Sequence, residues 1–323
     1  MSEKQISRLP SVSIIIRTLN EEKYIGECLS AIEKQHYSGE IEKIVIDSGS
    51  TDATVNIARE FGAVVTFIDK QRFSFGRSLN QGCKESTGEF LVLLSAHCIP
   101  TTDDWLIELV RPLAEHKSMY SYGRQIPRDG VSKFSEGMVY RQYYPTVSAL
   151  PQEGYFCNNA NSAIARKTWE KFKFDEELTG LEDLELAKRI VSSGGHISYS
   201  AQSVVEHIHE ESWRRIRTRY EREAVALLYI DPALSLSFFH AARLFLVSVS
   251  NDWHQQARKS IRSFTEILFY RFNQYLGSYV GSKASRSRIL KMKNEYYYPR
   301  TSERTITIGY EDEDNCATPN ESS

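Results

Sequence analysis

Val12-Ser13-Ile14-Ile15-Ile16-Arg17-Thr18-Leu19-Asn20-Glu21-Glu22 is the stretch whose reading decides the fold. It starts as a short, β-branched apolar run of buried-strand length. Asn20 then stands where a helix cap belongs, with Glu21 and Glu22 in the favourable first turn. Ile25, Cys28, Leu29 and Ile32 follow at i, i+3, i+4 and i+7, which is one face of a helix. The unit repeats downstream. Ile41 to Ile46 reads as a second strand ending at Asp47, and Ser50-Thr51-Asp52 opens a helix that Gly62 stops. Ala63 to Ile68 is a third strand, Ser78 to Ser86 a helix broken at Gly88, and Phe90 to Leu94 a fourth strand running into Ser95-Ala96-His97-Cys98. Strands and helices alternating at this spacing predict right-handed crossovers and a parallel sheet. Ligands of such sheets bind beyond the carboxyl ends of the strands. Arg17-Thr18-Leu19-Asn20, Asp47 and His97 all fall there and are expected to face one crevice.

The composition is that of a folding chain. Of 323 residues, 40 are Lys or Arg and 42 are Asp or Glu, a net charge of −2, and 41% are hydrophobic. This excludes a disordered chain and a globally basic nucleic-acid binder, so no nucleic-acid partner is expected. The near-neutrality conceals three segments: residues 1–210 carry a net −6, residues 211–300 a net +9 and residues 301–323 a net −5. We divide the chain accordingly into a catalytic domain (1–210), a basic helical C-terminal region (211–300) and an acidic tail (301–323) that is expected to be disordered. Five scattered cysteines without a C-x-x-C pair, and no apolar run at the N-terminus, are what a cytoplasmic protein is expected to show.

Six segments in order resemble the family 2 glycosyltransferases. They are Ser13 to Glu22, Val45-Ile46-Asp47-Ser48-Gly49-Ser50-Thr51-Asp52-Ala53-Thr54, Gly76-Arg77-Ser78-Leu79-Asn80, Gly88 to Leu94, Asn158-Asn159-Ala160-Asn161-Ser162-Ala163-Ile164 and Leu181-Glu182-Asp183. They cover about residues 10–210 and look most like the rhamnosyltransferase-like branch that builds bacterial surface polysaccharides. The resemblance implies an α/β GT-A fold, a Rossmann-like mixed sheet, here with a C-terminal helical extension. It implies sugar transfer, with inversion, from a nucleotide-sugar donor to a saccharide or lipid-linked acceptor.

Three chemical requirements then have candidates. Arg17, Thr18, Asn20, Glu21, Asp47, Ser48, Arg77, Asn80, Ser95 and Ala96 are the candidates for holding the nucleotide-sugar. Among them Asp47 has a carboxylate at a strand end, suited to an imide or ribose hydroxyl. Asp52 is either a ligand or a helix-capping acid. The leaving diphosphate needs positive charge. The family supplies it through a divalent metal, Mn or Mg, on an Asp-x-Asp motif, and this chain has Ser95-Ala96-His97 instead. Polypeptide N-acetylgalactosaminyltransferases look similar here, with Asp-x-His and a distant histidine. The distant candidates are His207 and His209, of which at most one is expected in the site if their strand is regular. Imidazole suits manganese or zinc better than magnesium. The alternative is an imidazolium at His97 pairing with phosphate directly.

The third requirement is a base for the acceptor hydroxyl. Glu182 and Asp183 precede the helical pattern Leu184, Leu186, Ala187, Ile190 and Val191, where the helix dipole favours anions. The family's base matches Asp183, and Glu182 orients sugar or base. Two other functions are weighed against this one. A sugar nucleotidyltransferase wants a glycine-rich phosphate loop after the first strand, and Arg17 to Glu22 contains no glycine. A non-catalytic nucleotide- or sugar-binding homologue has no use for Glu182-Asp183. Past residue 210, Ile261, Phe264, Leu268, Phe272, Tyr275 and Leu276 make a helical stripe among Arg258, Lys259, Arg262 and Arg271. No apolar run reaches 18 residues, so no membrane span is expected. The stripe is either a peripheral surface for the inner face of the cell membrane or a packing face for the core or a second copy.

Overall fold

The structure, a computed structural model, describes residues 9–284. The tail 301–323 and the end of the basic region, residues 285–300, lie outside the described residues.

Eight strands form one sheet: β1 (Val12–Thr18), β2 (Ile41–Asp47), β3 (Val64–Phe67), β4 (Phe90–Ser95), β5 (Cys98–Pro100), β6 (Tyr120–Ile126), β7 (Asn161–Ala165) and β8 (Ile197–His207). Their order is β3-β2-β1-β4-β7-β6-β8-β5. β1 pairs in parallel with both β2 and β4, so the direction of strand progression reverses at β1, the switch point at which such sheets bind ligands. β7 enters antiparallel to β4 and makes the sheet mixed. β1 is buried on both faces: Val12, Ile14 and Ile16 pack in one cluster with Leu29, Ile32 and Trp105, and Ile15 packs in the other with Leu79, Leu91 and Leu186. Each such side chain removed from water stabilises the fold by roughly 1.5–3 kcal/mol.

The helices flank this sheet: α1 (Ile25–Glu33), α2 (Thr54–Glu60), α3 (Phe75–Glu85), α4 (Trp105–Ala114), α5 (Phe134–Tyr143), α6 (Arg166–Phe172) and α7 (Glu182–Ser192). α1 buries the expected face, Ile25, Cys28, Leu29 and Ile32. Its start differs from expectation. Asn20 adopts φ +56° and does not cap the helix, which begins five residues later. Its side chain is used elsewhere: Oδ1 accepts from Thr51 N at 2.8 Å and ties the loop after β1 to the loop after β2. Asp52 Oδ1 accepts from Thr54 N at 3.0 Å and its Oδ2 from Glu22 N at 3.2 Å, a structural use of that acid in the same seam.

Three longer helices follow: α8 (Trp213–Ile230), α9 (Phe238–Gln255) and α10 (Ile261–Gly281). α8 and α10 touch at glycines. A Cβ on Gly277 would stand 2.3 Å from Arg217 O and one on Gly281 2.2 Å from Glu221 O, so any larger residue forces the helices apart. Arg271 of α10 grips Asp252 of α9 with two buried hydrogen bonds, 2.7 and 2.8 Å. α10 buries Ile267, Tyr270 and Arg271. Of the stripe read from the sequence, Ile261, Phe264 and Phe272 face outward. Among the described residues no helix is long and apolar enough to cross a membrane.

Candidate active site

A cleft of about 1120 Å³ opens at the carboxyl ends of β1 and β4 and runs on between α7 and α8–α10. Its floor is a hydrogen-bonded loop pair. Asp47 is 1% exposed; its Oδ2 accepts from Gly49 N and Ser50 N at 2.8 and 2.9 Å, and Thr18 donates to its Oδ1 at 3.2 Å. Ser48 Oγ donates back to Thr18 O. Thr18, Asp47 and Ser48 are therefore buried beneath the cleft, while Arg17, Asn20, Glu21 and Ser95 line it. Three further sequence candidates do not line the cleft either. Ala96 is fully buried in the core. Arg77 pairs with Glu176 at 2.8 Å, and Asn80 holds Phe174 O, Glu176 and the Trp169 indole N–H. Both brace the 172–177 loop against α3.

His97, His207 and His209 converge. One ring nitrogen from each lies within 4.8 Å of the others, with ring centroids 4.1 to 5.5 Å apart. The expectation that only one of His207 and His209 enters the site is overturned. Residues two apart on a strand share a face, and β8 ends at His207, with His209 just beyond it. Each imidazole has its Nδ1 on an acceptor: His97 on Glu21 at 2.9 Å, His207 on Gln125 at 2.6 Å and His209 on Glu136 at 2.8 Å. A carboxylate or amide oxygen can only accept, so each Nδ1 donates and Nε2 is the ring nitrogen left for a ligand. Burial, with His209 and His97 beside it, pushes the His207 pKa well down and keeps that ring neutral. This is the donor arrangement of an imidazole metal site.

Sequence reasoning missed the residues behind these histidines. Glu136 of α5, 2% exposed, also receives Arg219 Nη2 of α8 at 2.7 Å, and Arg219 reaches Glu211 as well. Burial raises the Glu136 pKa, yet His209 and Arg219 outweigh it and hold the group below its ordinary value. Tyr140 stacks on His207 and bonds to His207 O. Gln125, Glu136, Tyr140 and Arg219 have no local spacing that marks them, because tertiary packing alone brings them together.

Glu182 and Asp183 start α7 and line the same cleft. Asp183 Oδ2 accepts from Asn159 N and Oδ1 from Leu184 N, both at 2.8 Å. Burial, and after it the charge of Glu182, push the Asp183 carboxyl up to about 7 despite those two donors. Arg17 Nη1 reaches Glu182 at 3.4 Å. The Asn158-Asn159 turn joins the two centres: Gln125 Nε2 donates to Asn158 Oδ1 at 3.0 Å, and Asn159 N holds the carboxylate. A proton-accepting carboxyl poised near neutrality and a set of three imidazoles thus share one cleft. The arrangement can take a proton from a hydroxyl and place a cation beside an anionic leaving group.

Residues 13–171 match the description of glycosyl transferase family 2. The O-antigen chain rhamnosyltransferase RfbN of Salmonella typhimurium is 26% identical over 221 residues, 65% of this chain and 70% of that protein. Glycosyltransferase AglE of Haloferax volcanii is 37% identical over 106 residues, 31% of this chain but only 34% of that relative's length. A mannosyltransferase from Pyrobaculum calidifontis, solved with GDP-Man and Mn2+, covers 89% of both chains with a TM-score of 0.58 at 18% identity, a likeness of fold. Over residues 13–171, just under half of its length, and on a GT-A scaffold, the chain is similar to glycosyl transferase family 2.

Proposed function

We propose that this chain is an inverting glycosyltransferase that moves a hexosyl or deoxyhexosyl group from a nucleotide-sugar to a saccharide or lipid-linked acceptor in cell-surface polysaccharide assembly. The observation that carries the reading is Asp183, a buried carboxyl pushed up to about 7 in the cleft that holds the three histidines. Residues 1–210 make the catalytic domain in this reading, and the helices after 210 close its cleft. The nucleoside rests on the knitted loops of Arg17, Thr18, Asn20, Glu21, Asp47 and Ser48. Asp47 fixes their shape through three hydrogen bonds.

Asp183 accepts the proton of the acceptor hydroxyl as that oxygen attacks the anomeric carbon from the face opposite the leaving group. Asn159 N and Leu184 N keep its oxygens aimed. Glu182, tied to Arg17, positions the sugar beside it. His97, His207 and His209 fit a divalent metal through Nε2, with Mn favoured over Mg by the nitrogen donors. Such a metal, when bound, neutralises the charge of the departing nucleoside diphosphate.

The protein is further proposed to dock on the inner face of the membrane through the outward faces of α9 and α10. Phe239 is 83% and Ile261 86% exposed, with Phe238, Leu246 and Val247 also outward and Arg243, Arg258 and Lys259 among them. Exposed apolar residues interleaved with cations are what an anionic bilayer recognises.

The test is a panel of nucleotide-sugars incubated with the full-length chain and Mn2+, scored for release of nucleoside diphosphate. Release from one donor, stimulated by acceptor-bearing extracts, is the expected result. Selective nucleotide binding without any release overturns the enzymatic reading in favour of the binding homologue.

A further inference from the structure

α8 carries two arginines one turn apart that face the cleft. Arg219 is paired with Glu136 and Glu211. Arg222 is not: its Nε is buried and has no hydrogen-bond partner. Its Cζ lies 4.7 Å from the centroid of the Phe75 ring. The same ring carries Arg17, its Cζ also 4.7 Å away. Two guanidinium groups thus stand within twice that distance of each other, held by an aromatic ring, and Glu182, paired with Arg17, is at 3.4 Å, a long contact. Buried donors are nearly always satisfied, and guanidinium matches the oxygens of phosphate in shape and charge.

The position tells which substrate is involved. Thr179 Oγ1 donates to Arg222 O at 3.3 Å, and a Cβ on Gly180 would meet Arg222 Nε at 3.5 Å. Arg222 therefore packs on the turn that leads directly into Glu182 and Asp183. The histidines belong to the ends of β4 and β8, on the donor's side of the cleft. The helices after residue 210 add Leu227, Leu234, Leu236 and Leu244 to the lining, beside Arg271, Gln274 and Tyr275. We propose that Arg222, held on the Phe75 ring that Arg17 also faces, forms an acceptor-side subsite for a phosphate group. The proposal rests on the glycosyltransferase reading and adds that the acceptor is phosphorylated near the hydroxyl it presents. The phosphate belongs either to a lipid headgroup, whose hydrocarbon follows the leucines, or to a free phosphorylated acceptor.

Isothermal titration of the full-length chain in metal-free buffer uses geranyl diphosphate, geraniol and inorganic pyrophosphate as probes. UDP and GDP, each with Mn2+, are titrated separately. Geranyl diphosphate is expected to bind more tightly than geraniol. Arg222→Gln is expected to weaken it about 10- to 100-fold, the usual worth of a charged hydrogen bond. Arg222→Lys falls between, and the affinity for UDP or GDP stays the same. Pyrophosphate competing as well as geranyl diphosphate supports the subsite with a free phosphate as its ligand. Pyrophosphate competing poorly supports it with a lipid headgroup. Equal affinity of wild type and Arg222→Gln for geranyl diphosphate overturns the proposal, as does a parallel loss of UDP and GDP binding, which moves the arginine to the donor. Nucleoside diphosphate release is read in the same preparations, so a failed subsite and a failed glycosyltransferase reading give different results.

Discussion

The two halves of the cleft are built by opposite rules. On the β1–β4 side, chemistry sits at strand ends: Arg17, Asp47 and His97 each follow an apolar run, and the parallel sheet brings those ends together because its strands run the same way. On the α5–α8 side, Glu136 sits in the first turn of α5 behind the histidines, and Arg219 and Arg222 sit inside α8 and line the cleft, all placed by tertiary packing. The first half can be assigned from periodicity. The second is joined to the histidines by the side-chain link His209–Glu136. The lesson is that the catalytic centre is a product of both halves, so a truncation at residue 210 would remove Arg219 and loosen a histidine along with the helices.

The largest expected effect belongs to the base at the start of α7. Asp183→Asn should lower the rate of transfer by about 10² to 10⁴, the usual loss of a general base, with nucleotide affinity kept. Asp183 must be ionised to accept a proton, and its pKa is raised to about 7, so wild-type kcat/KM should climb with pH through that value. Steady-state rates across pH check both statements. A mutant with near-normal turnover removes Asp183 from the mechanism.

The next effect crosses between the halves. Glu136→Gln removes the charge that fixes His209, and loss of such a supporting carboxylate costs about 10- to 100-fold in metal affinity. Competition against a chelating dye measures it. An unchanged dissociation constant would mean that α5 and α8 support the fold but not the centre. The smallest effect lies on the helical face. Phe239→Asp should weaken sedimentation with anionic liposomes, and raised salt should weaken the remainder, without changing donor hydrolysis. If the full-length chain fails to sediment at low salt, these helices serve packing alone.

Much of the fold was legible for a physical reason. β1, β2, β3 and β4 are short, apolar and separated by helices with one buried face, so local pattern and tertiary outcome agree. The antiparallel entry of β7 and the long β8 were not visible, because nothing in Asn161–Ala165 records its partner's direction. Asn20 misled as a cap because a polar residue before a helical pattern has two uses. Here it binds Thr51 across the loop. Arg77 and Asn80 were assigned by resemblance, and the structure gives them the 172–177 loop. His207 and His209 were under-read by a mistaken alternation. Arg222 carried no signal, since an arginine in a basic helix looks like any other until its neighbours are known.

The central claim is that His97, His207 and His209 form one metal centre in the cleft where the donor is cleaved. Cobalt(II) titration of the metal-free chain tests it most directly, because three imidazole ligands shift and intensify the visible absorption of cobalt relative to the aquo ion. The account predicts a one-to-one spectrum that changes when the nucleoside diphosphate is added, and that each of His97→Ala, His207→Ala and His209→Ala weakens or abolishes. A spectrum indistinguishable from that of free cobalt, or one that persists in all three variants, would contradict it.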